Sequence, residues 1–210
     1  MPTSKRLSAL GSGVFARSDA AKQTYRERTA QRGGPALVDL SIGSSDLAPP
    51  QEVLQSIATA VLQPSSTSYC LQAGVKPFHR AVADWCRQRF GVVVDPDREV
   101  QLLVGSQEGT AHLPLAVLDD GDAALHLDPC YPSHSGGLHL AGAAVQKLSL
   151  SPEHNWRPDL QSIRASQWDQ LKLFVLGYPH NPTACVGDQE DLNRIMGFGT
   201  RHQLVIAHDN

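Results

Sequence analysis

Neither a long apolar run nor a long run of one charge sign occurs anywhere in the 210 residues. No stretch approaches the ~20 apolar residues that a membrane-spanning helix needs. The opening segment, MPTSKRLSALGSGVFARS, carries two early positive charges but no sustained apolar region of the kind a secretory leader has. A cytoplasmic protein without a membrane partner is the expectation. The formal net charge is −3 with no basic cluster, so the charge pattern does not point to nucleic acid and small molecules are the default ligands. Cysteine is sparse too. Cys70, Cys86, Cys130 and Cys185 are widely spaced and form no CxxC pair, which excludes a zinc ribbon, a dithiol redox motif and a compact disulfide framework. The nine histidines show no HxxxH or HExxH spacing, so no metal site is expected.

What is present suits a globular fold. Apolar residues make up 41% of a chain long enough to bury a substantial core. The first 36 residues are polar, and SDAAKQTYRERTAQRGG reads as an exposed helix ending at Gly33-Gly34, an arm rather than core. ALVDL then reads as a short strand, followed by a turn-rich loop. In QEVLQSIATAVLQ the residues Val53, Leu54, Ile57, Ala58 and Val61 share one helical face. A second amphipathic helix runs through KPFHRAVADWCRQRF, where Phe78, Val82 and Trp85 recur at helical spacing, and both faces call for a sheet to cover them. Phe78 and Trp85 are expected in the core.

From residue 99 the pattern alternates: VQLLV strand, EGTAHLPLAVL helix, AALHL strand, SHSGGLHLAG weak helix, AAVQKLSL strand, RPDLQSIRA short helix, KLFVLG strand, QEDLNRIMGFGTRH helix, LVIAH strand. Strands alternating with helices imply βαβ units and a mostly parallel sheet covered on both faces, a three-layer α/β/α arrangement. Ligands of such sheets sit beyond the carboxyl ends of the strands, so the residues just after each strand carry the information.

After LLV come Gly105, Ser106, Gln107, Glu108 and Gly109, leading into a helix. Free N–H groups at the helix start, the positive end of its dipole and the Ser106 hydroxyl would cradle a phosphate. An ordinary cap on a loop-to-helix turn would read the same way. The segment is neither a GxxxxGK[ST] loop nor a GxGxxG turn, which removes the nucleoside-triphosphate and dinucleotide fingerprints. After AALHL comes DPCYPSH, where two prolines bracket Tyr131, an aromatic that would stack on a flat ligand or simply pack on its turn. After KLFVLG comes YPHNPTA, which aims the Asn181 amide across the strand ends or leaves it bonded to its own turn. After LVIAH comes Asp209, a carboxylate at the end of an apolar strand with no lysine or arginine near it in sequence, where a protonated ring nitrogen would serve as partner. A planar, phosphorylated, nitrogen-containing cofactor would use all four strand ends.

The segments VDLSIGSSDLAPP, YCLQAGVKPFHRAVADW, VGSQEGTAHL, DPCYPSH, YPHNPTA and AHDN stand in the order found in class I/II aminotransferases, fold type I enzymes that use pyridoxal phosphate. The chain resembles this family from about residue 14 onward, with most similarity to the aspartate and LL-diaminopimelate aminotransferase branches. The resemblance implies an N-terminal arm and part of a small domain over residues 1–48, and a large cofactor-binding domain over 49–210, incomplete at its C-terminal end. It implies that Ser106 and Gln107, with their backbone N–H groups, bind the cofactor's phosphate, that Tyr131 stacks on its ring, that Asn181 bonds its phenolic oxygen and that Asp209 pairs with its ring nitrogen. It further implies that Tyr69 reaches the phosphate of a neighbouring subunit in a homodimer and that Gly43 lies beside the substrate carboxylate. The activity implied is transfer of an amino group between an amino acid and a 2-oxo acid. A different cofactor-dependent reaction on the same scaffold, such as a lyase, and a non-catalytic remnant that binds phosphate-bearing ligands are the alternatives.

Two departures accompany the resemblance. Ala184 stands where the family usually has the glycine of NPTG. The lysine to which the family attaches its cofactor is expected beyond residue 210, as are a tyrosine just after DN and the arginines for phosphate and substrate carboxylate. Lys5, Lys22, Lys76, Lys147 and Lys172 all stand in the wrong context to replace that lysine. The expectation is therefore a truncated chain with unpaired sheet edges, poorly soluble and without transaminase activity.

Overall fold

The computed structural model describes residues 3–10, 13–69 and 72–210; Cys70 lies outside them. The chain divides into two compact units, one formed by Met1–Glu27 with Val104–Asn210 and the other by Arg28–Leu103. In chain order the elements are α1 (Lys5–Leu10), α2 (Val14–Arg32), α3 (Gln51–Val61), α4 (Gln72–Phe90), α5 (Ser106–Val117), β1 (Ala123–Asp128), α6 (Pro132–Leu140), β2 (Ala144–Ser149), α7 (Ala165–Trp168), β3 (Leu171–Leu176), α8 (Gln189–Arg201) and β4 (Val205–His208). Among the described residues no helix is long and apolar enough to cross a membrane.

The first unit is built on a four-stranded, fully parallel sheet of order β2-β1-β3-β4. Its strands are the apolar runs AALHLD, AVQKLS, LKLFVL and VIAH, and burial is deepest in the two central ones. Side chains alternate between the faces. Leu125, Leu127, Phe174 and Leu176 point into one cluster, which also takes in Trp168 and Ile195 from α7 and α8. Ala124, Leu173 and Val175 point into another, closed by Leu138 from α6 and Leu113 and Val117 from α5. A register shift beside Ala123 and Ala124 keeps Leu171 and Phe174 on the same side although they are three residues apart. The result is the expected three-layer α/β/α sandwich.

Crossovers between parallel strands are right-handed as a rule, and with this strand order that rule produces the layering. The chain leaves β1 through α6 toward β2, then returns past β1 to β3 and continues through α8 to β4, so the direction of travel reverses and the helices fall on opposite faces. The reversal falls between β1 and β3, and ligand sites form at such a switch point. The α6 segment, PSHSGGLHL, is a poor helix former, yet a Cβ at Gly137 would collide with the Thr110 carbonyl oxygen. Only glycine lets α5 and α6 approach so closely, which outweighs the ~1 kcal/mol that glycine costs in a helix. At the start of α8, Asp188 caps the helix by accepting from the Asp191 N–H at 2.9 Å, and the buried Asp191 is met by Arg194 at 2.6 Å and Arg157 at 3.2 Å.

The second unit corrects three expectations. ALVDL (residues 36–40) and VQLLV (residues 100–104) form no strand. Strandedness depends on ladder partners, and neither segment has one among the described residues. Helices α3 and α4 form as their periodicity requires, but Phe78 and Trp85 are exposed rather than core, at 46% and 55%. Val53, Ile57 and Val61 on α3 are likewise exposed. This unit has no sheet among its described residues, so the apolar faces of its helices have nothing of that kind to cover them. Trp85 instead meets Phe90 edge to face, with ring centroids 5.0 Å apart.

Candidate functional site

The polar groups of the first unit gather at the carboxyl ends of its strands. Gly105, with φ of +80°, precedes α5 in a conformation that side chains disfavour. The backbone N–H groups of Ser106 and Gln107 open α5, where no preceding turn supplies an acceptor. Both residues are exposed. The one acidic side chain of this turn, Glu108, folds back to accept from the Val104 N–H at 2.6 Å, and its other oxygen lies 3.8 Å from His112 Nδ1. This turns the carboxylate toward the preceding loop.

Beyond β1, Tyr131 is the last residue before α6 and half-buried. Its hydroxyl accepts a short hydrogen bond from Gln107 Nε2. Two residues on, Ser133 Oγ meets Thr110 Oγ1 at 2.9 Å, so the loop after β1 is tied twice to the first turn and a half of α5. His134 follows, buried, with its ring edge-on to Tyr131 at 6.1 Å between centroids. Its Nε2 lies 2.9 Å from Oδ2 of Asp209. Asp209 sits one residue past β4, and its N–H donates to the Leu176 carbonyl at 2.8 Å, extending the β3–β4 ladder by one bond. A Cβ on Gly177 would stand 2.6 Å from the Asp209 carbonyl oxygen and 3.4 Å from the His134 ring, so a glycine is required where the three tips meet.

Gln107, Tyr131 and Asp209 are thus brought together in one continuous set of contacts, with His134 as the link, and Ser106 lies next to Gln107 at the helix start. Asn181 is exposed in the loop after β3. That loop joins the set through its neighbour His180, whose Nε2 meets the Pro129 carbonyl at 3.1 Å and whose Nδ1 meets Thr183 Oγ1 at 2.8 Å. Ala184, at the departure from NPTG, adopts a φ of +59°, the conformation in which glycine is easiest and alanine costs about 1 kcal/mol. Gly43 and Tyr69 belong to the second unit; both are exposed, Tyr69 at 96%, and a Cβ on Gly43 would meet nothing within 4 Å.

Two histidines shape the electrostatics of the tips. Burial pushes His180 below the ordinary imidazole range, against a smaller raising effect of its bond to the Pro129 carbonyl. Burial does the same to His208, opposed by the adjacent Asp209 carboxylate, and its Nε2 accepts from the Tyr178 N–H at 3.3 Å, a role only the unprotonated nitrogen can fill. Sequence reasoning passed over His134. The signal for it was the carboxylate of Asp209 standing without a cationic neighbour in sequence, together with a histidine inside the already suspect segment DPCYPSH.

The chain is thus a parallel α/β protein with a helix N-terminus, an aromatic ring and a histidine-backed carboxylate near the carboxyl ends of its strands, the region where ligand sites form in this class of folds. Residues 35–210 match the family model described as aminotransferase class I and II, and the chain belongs to that family. It is 36% identical over 205 residues to an LL-diaminopimelate aminotransferase of Desulforudis audaxviator, covering 98% of this chain and 51% of that protein. A solved structure of a probable N-succinyldiaminopimelate aminotransferase from Thermus thermophilus superposes with a TM-score of 0.86 at 38% identity, covering 94% of this chain and 52% of the other. A mutant aspartate aminotransferase of Thermus thermophilus gives a TM-score of 0.84 at 26% identity, covering 100% and 53%. The chain spans about half the length of the curated relatives it matches.

Proposed function

We propose that this chain carries the cofactor-binding part of a pyridoxal-phosphate-dependent aminotransferase, which moves an amino group between an amino acid and a 2-oxo acid. The observation that carries the reading is the contact set Gln107–Tyr131–His134–Asp209 beside the open start of α5, in a chain of this family. The residues fit the cofactor chemically. The N–H groups of Ser106 and Gln107 and the Ser106 hydroxyl would hold a phosphate, Tyr131 would back a flat ring, Asn181 would bond the phenolic oxygen, and Asp209 would face the ring nitrogen. When bound, pyridoxal phosphate supplies an electron sink for the pair left on the substrate's α-carbon.

The chain's own part is orientation and charge. Asp209 would hold a proton on the ring nitrogen, and His134, at 2.9 Å, fixes which way that carboxylate faces. In this reading Gly43 lies beside the substrate carboxylate, Tyr69 serves the phosphate of a second subunit in a homodimer, and the enzyme works in the cytoplasm. The names of the relatives support a diaminopimelate-type amino acid as substrate class.

The lysines favour binding without turnover by these 210 residues alone. Lys22, Lys76, Lys147 and Lys172 are ion-paired with Asp19, Asp97, Asp128 and Asp122, Lys172 at the end of β3 opposite the site, while Lys5 lies on α1. Titration of the chain with pyridoxal phosphate tests the reading. Saturable binding is expected, weakened about 10- to 100-fold by Asp209→Asn, the range of a lost charged hydrogen bond, with no transamination. Absence of saturable binding up to millimolar cofactor, or indifference to Asp209→Asn, would count against it.

A further inference from the structure

Gln107 stands at the second position of α5, but its side chain is committed away from the helix end, with Nε2 donating to the Tyr131 hydroxyl across 24 residues of chain. The hydroxyl of a tyrosine lies on the axis about which the ring spins. A bond to it fixes the tilt of the side chain while leaving the rotation of the ring face free. That second freedom is limited by neighbours on the ring itself: His134 stands edge-on at 6.1 Å and 69°, and Phe15 of α2 lies at 6.5 Å and 57°. The base beneath is rigid, because α5 and α6 are tied by Thr110–Ser133 and pressed together at Gly137.

We propose that Gln107 is a positioning residue: its side-chain amide locks the ring of Tyr131 as a flat stacking surface, with Phe15 and His134 setting the direction of the ring face. Its side chain takes no part in holding the phosphate, which falls to the backbone N–H groups and Ser106. This rests on Tyr131 acting as the plate for the cofactor ring. A glutamine Oε1 is an acceptor and offers nothing to a phosphate oxygen, while one of the two Nε2 N–H groups is committed to the phenol and holds that nitrogen at Tyr131. Two side-chain torsions ordered in advance are two that ligand binding does not have to order.

The test compares pyridoxal phosphate with pyridoxal, which has the ring but no phosphate, on the wild-type chain, Gln107→Ala, Tyr131→Phe and the double variant. The expected result is a weakening of about 3- to 10-fold by Gln107→Ala for both ligands alike, with the double variant no weaker than the worse single one. A loss confined to pyridoxal phosphate, or losses that multiply in the double variant, would overturn the proposal. A separate measurement needs no ligand: the ζ-carbon NMR signals of ¹³C-labelled tyrosine, with Tyr131 identified by Tyr131→Phe. Gln107→Ala should move the Tyr131 signal and leave those of Tyr25, Tyr69 and Tyr178 in place; an unmoved Tyr131 signal would overturn the proposal even if the chain bound no cofactor, an outcome that by itself would sink only the aminotransferase reading.

Discussion

The two units of this chain have similar proportions of apolar residues and use them to different effect. In the first, the sheet has helices on both faces, and its central strands are buried along almost their whole length. In the second, α3 and α4 carry well-formed apolar faces, yet Val53, Ile57, Phe78 and Trp85 remain exposed. Amphipathic periodicity decides that a helix forms and which face is apolar; only a partner surface decides whether that face is buried. The contacts of Gln107, Tyr131, His134 and Asp209 belong to the unit whose central strands are buried between helices, because loops aim side chains reproducibly only when the strands beneath them are fixed.

The contrast is most sharply tested by truncating one apolar side chain in each unit. Phe174→Ala should cost about 3–5 kcal/mol in urea unfolding, the range for a fully buried aromatic, whereas Ile57→Ala, on the exposed face of α3, should change stability by about 0.5 kcal/mol or less. Equal losses would mean that the α3 face is buried after all. Glycines sharpen the comparison on a smaller scale. Gly177→Ala drives a Cβ to 2.6 Å from the Asp209 backbone carbonyl and is expected to cost about 1–3 kcal/mol. Gly43→Ala meets nothing within 4 Å and should be close to neutral. A silent Gly177→Ala would show that the three tips do not meet as described.

Acid should separate the units as well. Burial depresses the protonation of His126, His180 and His208, all in the first unit, below the ordinary imidazole value. The unfolded chain then binds more protons than the folded one between the two values. Their contribution is complete above about pH 6.5 and is lost as pH falls through that value toward the folded-state values. Lowering pH from about 7.5 to about 5.5, across that window, should therefore lower the amide protection factors (exchange corrected for its intrinsic pH dependence) in β1 and β3 while those of α3 change least. His126→Leu should reduce the effect, since it removes a buried imidazole whose Nε2 has no hydrogen-bond partner. An acid response centred on α3 would contradict the assignment.

Much of the first unit was legible in the sequence. AALHL, AAVQKLS, KLFVL and VIAH are short apolar runs between turn residues, and the alternation with helices implied a covered parallel sheet. ALVDL and VQLLV have the same local look but form no strand, because a ladder is a property of two segments and sequence windows see one. Strand-end logic led to Ser106, Gln107, Tyr131, Asn181 and Asp209, of which Gln107, Tyr131 and Asp209 fall within one set of contacts. What it could not supply were the links: His134 beneath Asp209, the Gln107 amide on the Tyr131 hydroxyl, and Phe15 from the far end of the chain against the same ring. Each depends on side-chain direction and on contacts 24 to 116 residues apart, which no local pattern encodes.

The central idea is that successive strand tips serve one ligand, and a crystal structure of the chain with pyridoxal phosphate examines it most directly. The phosphate should lie on the N–H groups of Ser106 and Gln107, the ring against Tyr131 and the ring nitrogen within hydrogen-bonding distance of Asp209. A cofactor bound elsewhere, or touching only one of these tips, would contradict the account.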